Sequence, residues 1–235
     1  MIRTEQEVEK KLKSLGTAEK ARASARFFKT GRGQYGYGDV FVGVTVPEQR
    51  KVAKAYQDLP FQEVTKLLEN KIHECRLTAL LILGEQYKRG DMRTRTEIAK
   101  FYLAHTRYIN NWDLVDVSAP HILGDYLLTR DRGILYTLAK SRNLWERRIA
   151  IIATLAFIVK GESKDSFTIV ELLLDDTHDL IHKAMGWMLR EAGKRCSRAE
   201  LVAFIDKHSS HMPRMTLRYA IEHFSPAERK EFLSR

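Results

Sequence analysis

Apolar residues return along nearly the whole chain at steps of three and four, the spacing that buries one face of a helix against a neighbour. That period predicts helices over 5–15, 17–29, 47–59, 61–69, 74–88, 93–105, 112–127, 132–141, 145–160, 166–174, 178–194, 197–207, 213–223 and 226–233. Punctuation agrees with it. Gly16 separates the first two segments, and Pro47 with Glu48 suits a first helical turn, which tolerates a proline and favours an acid. One stretch breaks the pattern. Residues 30–46 are Gly-rich and then alternate as Val40, Phe41, Val42, Gly43, Val44, which predicts a short β-hairpin or an extended Gly-rich loop.

The longer helices recur. They begin near Glu74, Asn111, Leu144, Leu180 and Met212, a step of about 35 residues, each followed by a shorter partner. Helix pairs at such a step are the mark of a HEAT-like solenoid. The expected fold is therefore all-α: a curved α-solenoid forming a single domain over 1–235, with an insert near 30–46. Such a stack presents a concave surface.

Charge suggests what that surface holds. The 235 residues carry 40 Lys and Arg against 30 Asp and Glu, a formal net charge of +10. A basic concave face suits a polyanion, and double-stranded DNA, alkylated or structured, is the expected partner. No apolar run approaches the roughly 20 residues of a membrane span, and the first positions carry no signal-type apolar core. A cytoplasmic protein, nucleoid-associated through DNA, is expected, without a membrane or an obligatory protein partner. Solenoids of this size are often monomers, so a monomer is expected. Cys75 and Cys196 are too few for a disulfide scaffold and are expected as free thiols.

Three local patterns bear on chemistry. Gly31 to Gly36 spells G-x-G-x-x-G, but a helix precedes it and a β-like stretch follows, the reverse of a dinucleotide site. It reads as a turn projecting Arg32, Tyr35 and Tyr37, which suit a DNA groove or backbone. His178 and His182 share a helix face, but Asp179 stands where a zinc helix needs glutamate, and the acids upstream look like a cap. No phosphate-binding loop or acyl-transfer motif occurs, so neither cofactor nor metal is expected. The third pattern is Asn110-Asn111-Trp112-Asp113-Leu114-Val115-Asp116, where Trp112 and Asp116 lie one turn apart on one face. Arg147 and Arg148 open the next long helix, and Lys183, Trp187 and Arg190 share a face of the one after, with Lys194 beyond. Each also has a plainer reading: Trp112 as core, Asp113 or Asp116 as a helix cap, and the arginines as solvated ion pairs. Trp145 is expected in the core.

The stretches NNWDLVDVSAPHILGDYLL (110–128), LWERRIAI (144–151) and KAMGWMLRE (183–191) resemble, in order and spacing, the AlkD-like DNA alkylation repair proteins of the HEAT-like-repeat DNA glycosylase superfamily. The Gly-rich insert looks like the hairpin of a side branch. The resemblance implies an all-α curved solenoid and hydrolysis of the N-glycosidic bond of N3- or N7-alkylated purines. It implies Asp116 as the catalytic carboxylate, Trp112 and Trp187 as tryptophans at the lesion, and Arg148 as a phosphate contact. The alternatives are a non-catalytic binder of branched or damaged DNA, using the insert and the basic face, and a solenoid that binds another protein.

Overall fold

The computed structural model describes residues 3–234. They divide into two compact units, one ending at Ser118 and one starting at Ala119. The first contains α1 (Glu5–Leu15), α2 (Ala18–Phe27), α3 (Val46–Ala55), α4 (Phe61–Leu68), α5 (His73–Arg89), α6 (Met92–Ala104) and α7 (Trp112–Ser118). The second contains α8 (Gly133–Ala139), α9 (Leu144–Ala153), α10 (Leu155–Val159), α11 (Lys164–Leu173), α12 (Asp179–Arg195), α13 (Arg198–His208), α14 (Arg214–Ala220) and α15 (Pro226–Ser234). Each unit is an all-α, solenoid-like packing of helices, as the periodicity predicts.

The helices start where side chains satisfy their first N–H groups. Thr4 and Glu7 cap α1 reciprocally, and Thr17, Asp91, Asn143 and Ser197 cap α2, α6, α9 and α13. In the first unit α5 is the hub. It is buried on nearly every side, with Leu77, Leu80, Ile82 and Leu83 in the core, and α1, α3, α4, α6 and α7 pack around it. In the second unit α12 has that place, against α9, α10, α11, α13 and α14. Trp145 is buried at 8% exposure, as expected of a core residue. Cys75 is buried in α5 and Cys196 half-buried after α12; both are free, and burial pushes both thiol pKa values up. Among the described residues, no helix is long and apolar enough to cross a membrane.

The structure decides between the two readings of one segment and modifies two helices. Residues 30–46 take the Gly-rich loop and not the hairpin. They are a Gly-rich run of turns whose one bridge is parallel, Val40 to Ile72, with His73 N donating to the Val40 carbonyl at 2.8 Å. Two facts explain this. The Val42, Gly43 and Val44 N–H groups donate to the Glu74 carboxylate rather than to a strand. Gly43 takes φ +82°, and a Cβ there would lie 2.3 Å from the Thr17 carbonyl oxygen. The helix expected over 112–127 is present but irregular: α7 ends at Ser118, Pro120 has no N–H to give, and a π-helical turn, Pro120–Gly124, carries the helical backbone on through Tyr126. The helix expected over 145–160 breaks at buried Thr154, whose hydroxyl donates to the Ile151 carbonyl at 2.6 Å.

A close helix approach in the second unit lies at Gly186, in the middle of α12. A Cβ there would stand 2.4 Å from Tyr219 Cβ and 2.6 Å from the Thr216 carbonyl oxygen, both on α14. Gly186→Ala gains helix propensity but forces α14 outward. We expect a net loss of about 1–3 kcal/mol in stability, read as a lower midpoint of thermal or urea unfolding.

Candidate functional site

Asn111 and Asp113 set the start of α7. The Asn111 carboxamide oxygen accepts from Trp112 N at 2.8 Å, and Asp113 Oδ1 accepts from Leu114 N at 2.9 Å. Trp112 and Asp116 then lie one helical turn apart, both half-exposed. The charge of Asp116 reaches Tyr102, whose hydroxyl lies 3.0 Å from Ser118 Oγ; burial, and then that negative charge, keeps the phenol protonated.

The indole of Trp112 is fixed by other rings. Phe28 stacks on it at 5.3 Å, and Phe27, 65% exposed, meets it edge-on at 5.8 Å. Phe28 also stacks on Phe41 at 5.1 Å, and both rings pack against the His73 imidazole, at 4.9 and 4.7 Å.

His73 lies at the centre of a buried ionic cluster. Its Nδ1 is 3.1 Å from Asp39 Oδ2 and its Nε2 is 2.7 Å from Asp113 Oδ2. Arg76 Nη2 donates to Asp39 Oδ1 at 2.6 Å, and the Asn111 amide donates to Asp39 Oδ2 at 3.2 Å. Arg76 Nη1 also donates to the carbonyls of Asn70 and Lys71. Burial penalises the charged form of His73, but the hydrogen bonds to Asp113 and Asp39 outweigh it and raise its pKa. Burial likewise opposes the Asp39 carboxylate, and the His73 bond and the Arg76 charge outweigh it and hold its pKa below the usual value. The loop, the start of α5 and the start of α7 are thus tied by charge-assisted hydrogen bonds.

The remaining sequence-derived candidates fall into two groups. On the loop, Arg32 is exposed, Tyr37 is 67% exposed, and Tyr35 is half-buried with the Lys29 ammonium 5.9 Å above its ring. In the second unit, α9 and α12 pack together and carry the rest. Arg147 is ion-paired to Asp176 at 2.6 Å. Arg148 is only 5% exposed, and its Nη1 donates to the Leu180 carbonyl at the start of α12. Lys183 pairs with Asp179 at 3.3 Å, Arg190 with Glu222 and Glu191, Trp187 is half-exposed and Lys194 is exposed. His178 caps α12 by accepting from Leu180 N, and His182 bonds the Asp176 carbonyl. Among the described residues, no group of His, Cys, Asp or Glu is placed to hold a metal ion.

The sequence pattern does not single out Asp39, His73 or Arg76, and it offers Asp113 only as a helix cap. One signal was available: α5 opens His73-Glu74-Cys75-Arg76 before a strongly apolar run, and charged side chains on a buried helix need partners.

The profile of the family described as DNA alkylation repair enzyme matches residues 8–224. A solved structure described as "Predicted DNA alkylation repair enzyme from Enterococcus faecalis" is 17% identical, covering 90% of this chain and 97% of that one at a TM-score of 0.70. At that identity the likeness speaks for the fold. A search of curated proteins gives no match.

The ionic cluster makes the stability of the first unit depend on pH from both sides. Asp39 has a lowered native pKa, so its contribution is present above its unfolded value of about 3.9 and is lost as pH falls through the native one. His73 has a raised native pKa, so its contribution is complete below its unfolded value of about 6.5 and is lost as pH rises through the native one. We expect urea midpoints to peak in the weakly acidic range. Asp39→Asn should flatten the acid limb and His73→Gln the alkaline limb.

Proposed function

The chain belongs to the DNA alkylation repair enzyme family, and from that premise we propose that it is a monofunctional glycosylase, hydrolysing the N-glycosidic bond of N3- or N7-alkylated purines in duplex DNA. The observation that carries this reading is the pairing on α7: an indole fixed by Phe27 and Phe28, with a half-exposed carboxylate one turn away.

Alkylation at N3 or N7 makes the purine a cation and already a good leaving group. As the C1′–N bond breaks, its electron pair goes to the base, which departs neutral, and positive charge grows on the sugar. A carboxylate beside C1′ stabilises that charge and orients the water that adds there. Asp116 takes this role. The water's oxygen bonds to C1′ and its proton is released, leaving free base and an abasic sugar. An aromatic face attracts a cation, by up to ~2 kcal/mol when desolvated, and Trp112 offers one. This chemistry calls for no cofactor.

Contacts with the DNA backbone fall to the cations. Lys194 is exposed and available to a phosphate. Arg147, Lys183 and Arg190 carry acidic partners, and Arg148 a carbonyl, which a phosphate must displace or share. Following the resemblance, Trp187 and Arg148 are assigned to the sugar–phosphate of the substrate. A second reading, a binder of branched or damaged DNA without base excision, is favoured by the exposure of Arg32 and Tyr37 on the loop.

The test is release of free base from duplex DNA carrying 7-methylguanine or 3-methyladenine. Asp116→Asn should lower it at least about 100-fold, as loss of a group that stabilises transition-state charge does, while DNA affinity stays within about two-fold. Equal release by wild type and variant removes Asp116 from the mechanism; binding without release by either moves the function to the second reading. Affinity itself should fall steeply with salt, by a log–log slope of about −0.9 per phosphate neutralised, and Lys194→Ala should make that slope shallower. Fluorescence anisotropy at several salt concentrations measures both.

A further inference from the structure

We propose that His73 is a positioning residue for α7: its doubly protonated ring holds Asp39 of the loop and Asp113 of α7 at once, and so sets the Trp112 indole and the Asp116 carboxylate against the substrate. This rests on the reading of α7 as the helix that meets the lesion.

An ionised carboxylate only accepts, and a neutral imidazole has a single N–H. His73 lies between two carboxylates, Asp39 at 3.1 Å from Nδ1 and Asp113 at 2.7 Å from Nε2. Only the imidazolium donates to both. Once its proton leaves, one carboxylate faces a ring lone pair, and that contact turns repulsive. The surroundings favour the charged ring. Phe28 and Phe41 lie against it at 4.9 and 4.7 Å, and aromatic faces attract a cation.

Other charged groups that bear on α5 are engaged elsewhere, and from α7 Asp116 acts on Tyr102. Arg76, on the next turn, is bound to Asp39 and to two carbonyls. Glu74 is bound to the loop N–H groups of Val42, Gly43 and Val44. From α1, Glu5, Glu9 and Lys13 act on Cys75. From α3, Glu48 is bound to Thr45, and from α4, Glu63 is paired with Lys66. From α6, Arg95 reaches carbonyls at the far end of α5. Asp39 and Asp113 are thus the carboxylates that answer to the His73 proton.

Two routes carry the state of that proton to the site. One runs through the backbone: Asp113 sits in the first turn of α7, and its other oxygen holds Leu114 N. The other runs through Phe28, whose ring packs on His73 and stacks on Trp112.

Asp113→Asn separates this role from a merely structural one. The new amide donates to Nε2, so a neutral His73, with its one N–H on Asp39, keeps both contacts. In the wild-type chain we expect the single-turnover rate of base release to fall about 10–100-fold as pH rises through the His73 titration, the scale of a small misplacement of reacting groups, with KM little changed. In Asp113→Asn that alkaline limb should vanish, and ring ¹⁵N shifts should place the His73 titration at lower pH. A second readout needs no catalysis: with 5-fluorotryptophan in the full chain, the ¹⁹F resonance of Trp112 should move at the His73 midpoint in wild type and stay still in Asp113→Asn.

If no alkylated duplex releases base, the glycosylase reading fails, and a Trp112 resonance that still follows His73 supports the positioning role. A Trp112 resonance and a rate that both ignore the His73 titration overturn it. So does an alkaline limb that is identical in wild type and Asp113→Asn. The wild-type titration decides by itself should the variant fold poorly.

Discussion

Two carboxylates sharing one imidazole is the constraint on which the first unit depends. Asp39 and Asp113 come from segments far apart in sequence, and like charges brought close inside a protein repel strongly unless cations lie between them. His73 and Arg76 are those cations, and with them the cluster is balanced: two negative charges against two positive. The Gly-rich loop and α7 are therefore held to α5 by the same atoms. Neither moves without leaving a buried charge uncompensated, which costs several kcal/mol. Glu74 adds a second tie by collecting three loop N–H groups on one carboxylate. The face formed by Trp112 and Asp116 inherits its precision from this anchoring rather than from α7 itself, which is barely two turns long.

The second unit is organised by packing instead. Gly186 lets α14 lie against α12 at backbone distance, and, Lys194 aside, the candidate cations of α9 and α12 are parked on nearby acids or carbonyls. Most of the α9 and α12 cations expected at DNA thus already have partners. An incoming phosphate trades one anion for another at most of these positions. Such an exchange favours placement over raw attraction, because the displaced partner offsets much of the energy gained.

The fold was largely legible because helical period and caps are local. The bounds of α1 follow directly from Thr4, Glu7 and Gly16, and the recurring step places α5, α7, α9, α12 and α14 in order, although α7 and α14 are only seven residues each and α15 is longer than the α14 it follows. What the period did not give was geometry set at single residues: Pro120 turns the helix after α7 into a π turn, Thr154 divides α9 from α10, and Glu74 takes the loop N–H groups that a hairpin would use. The site was legible in part. Trp112 and Asp116 share a helix face by spacing alone. The cluster behind them was not legible, because the partners of His73 lie 34 and 40 residues away and no period links them. Arg148 shows the same limit from the other side: its residue type suggests an exposed phosphate clamp, while its position buries it against the start of α12.

The two thiols have a chemical consequence for a protein of this family. Electrophilic methylating agents react with a thiolate far faster than with a thiol. Cys75 lies inside α5 and Cys196 is half-covered, and burial pushes both ionisations upward, so neither offers an appreciable thiolate at neutral pH. Electrophiles of the kind that alkylate DNA therefore find little thiolate to attack in this chain.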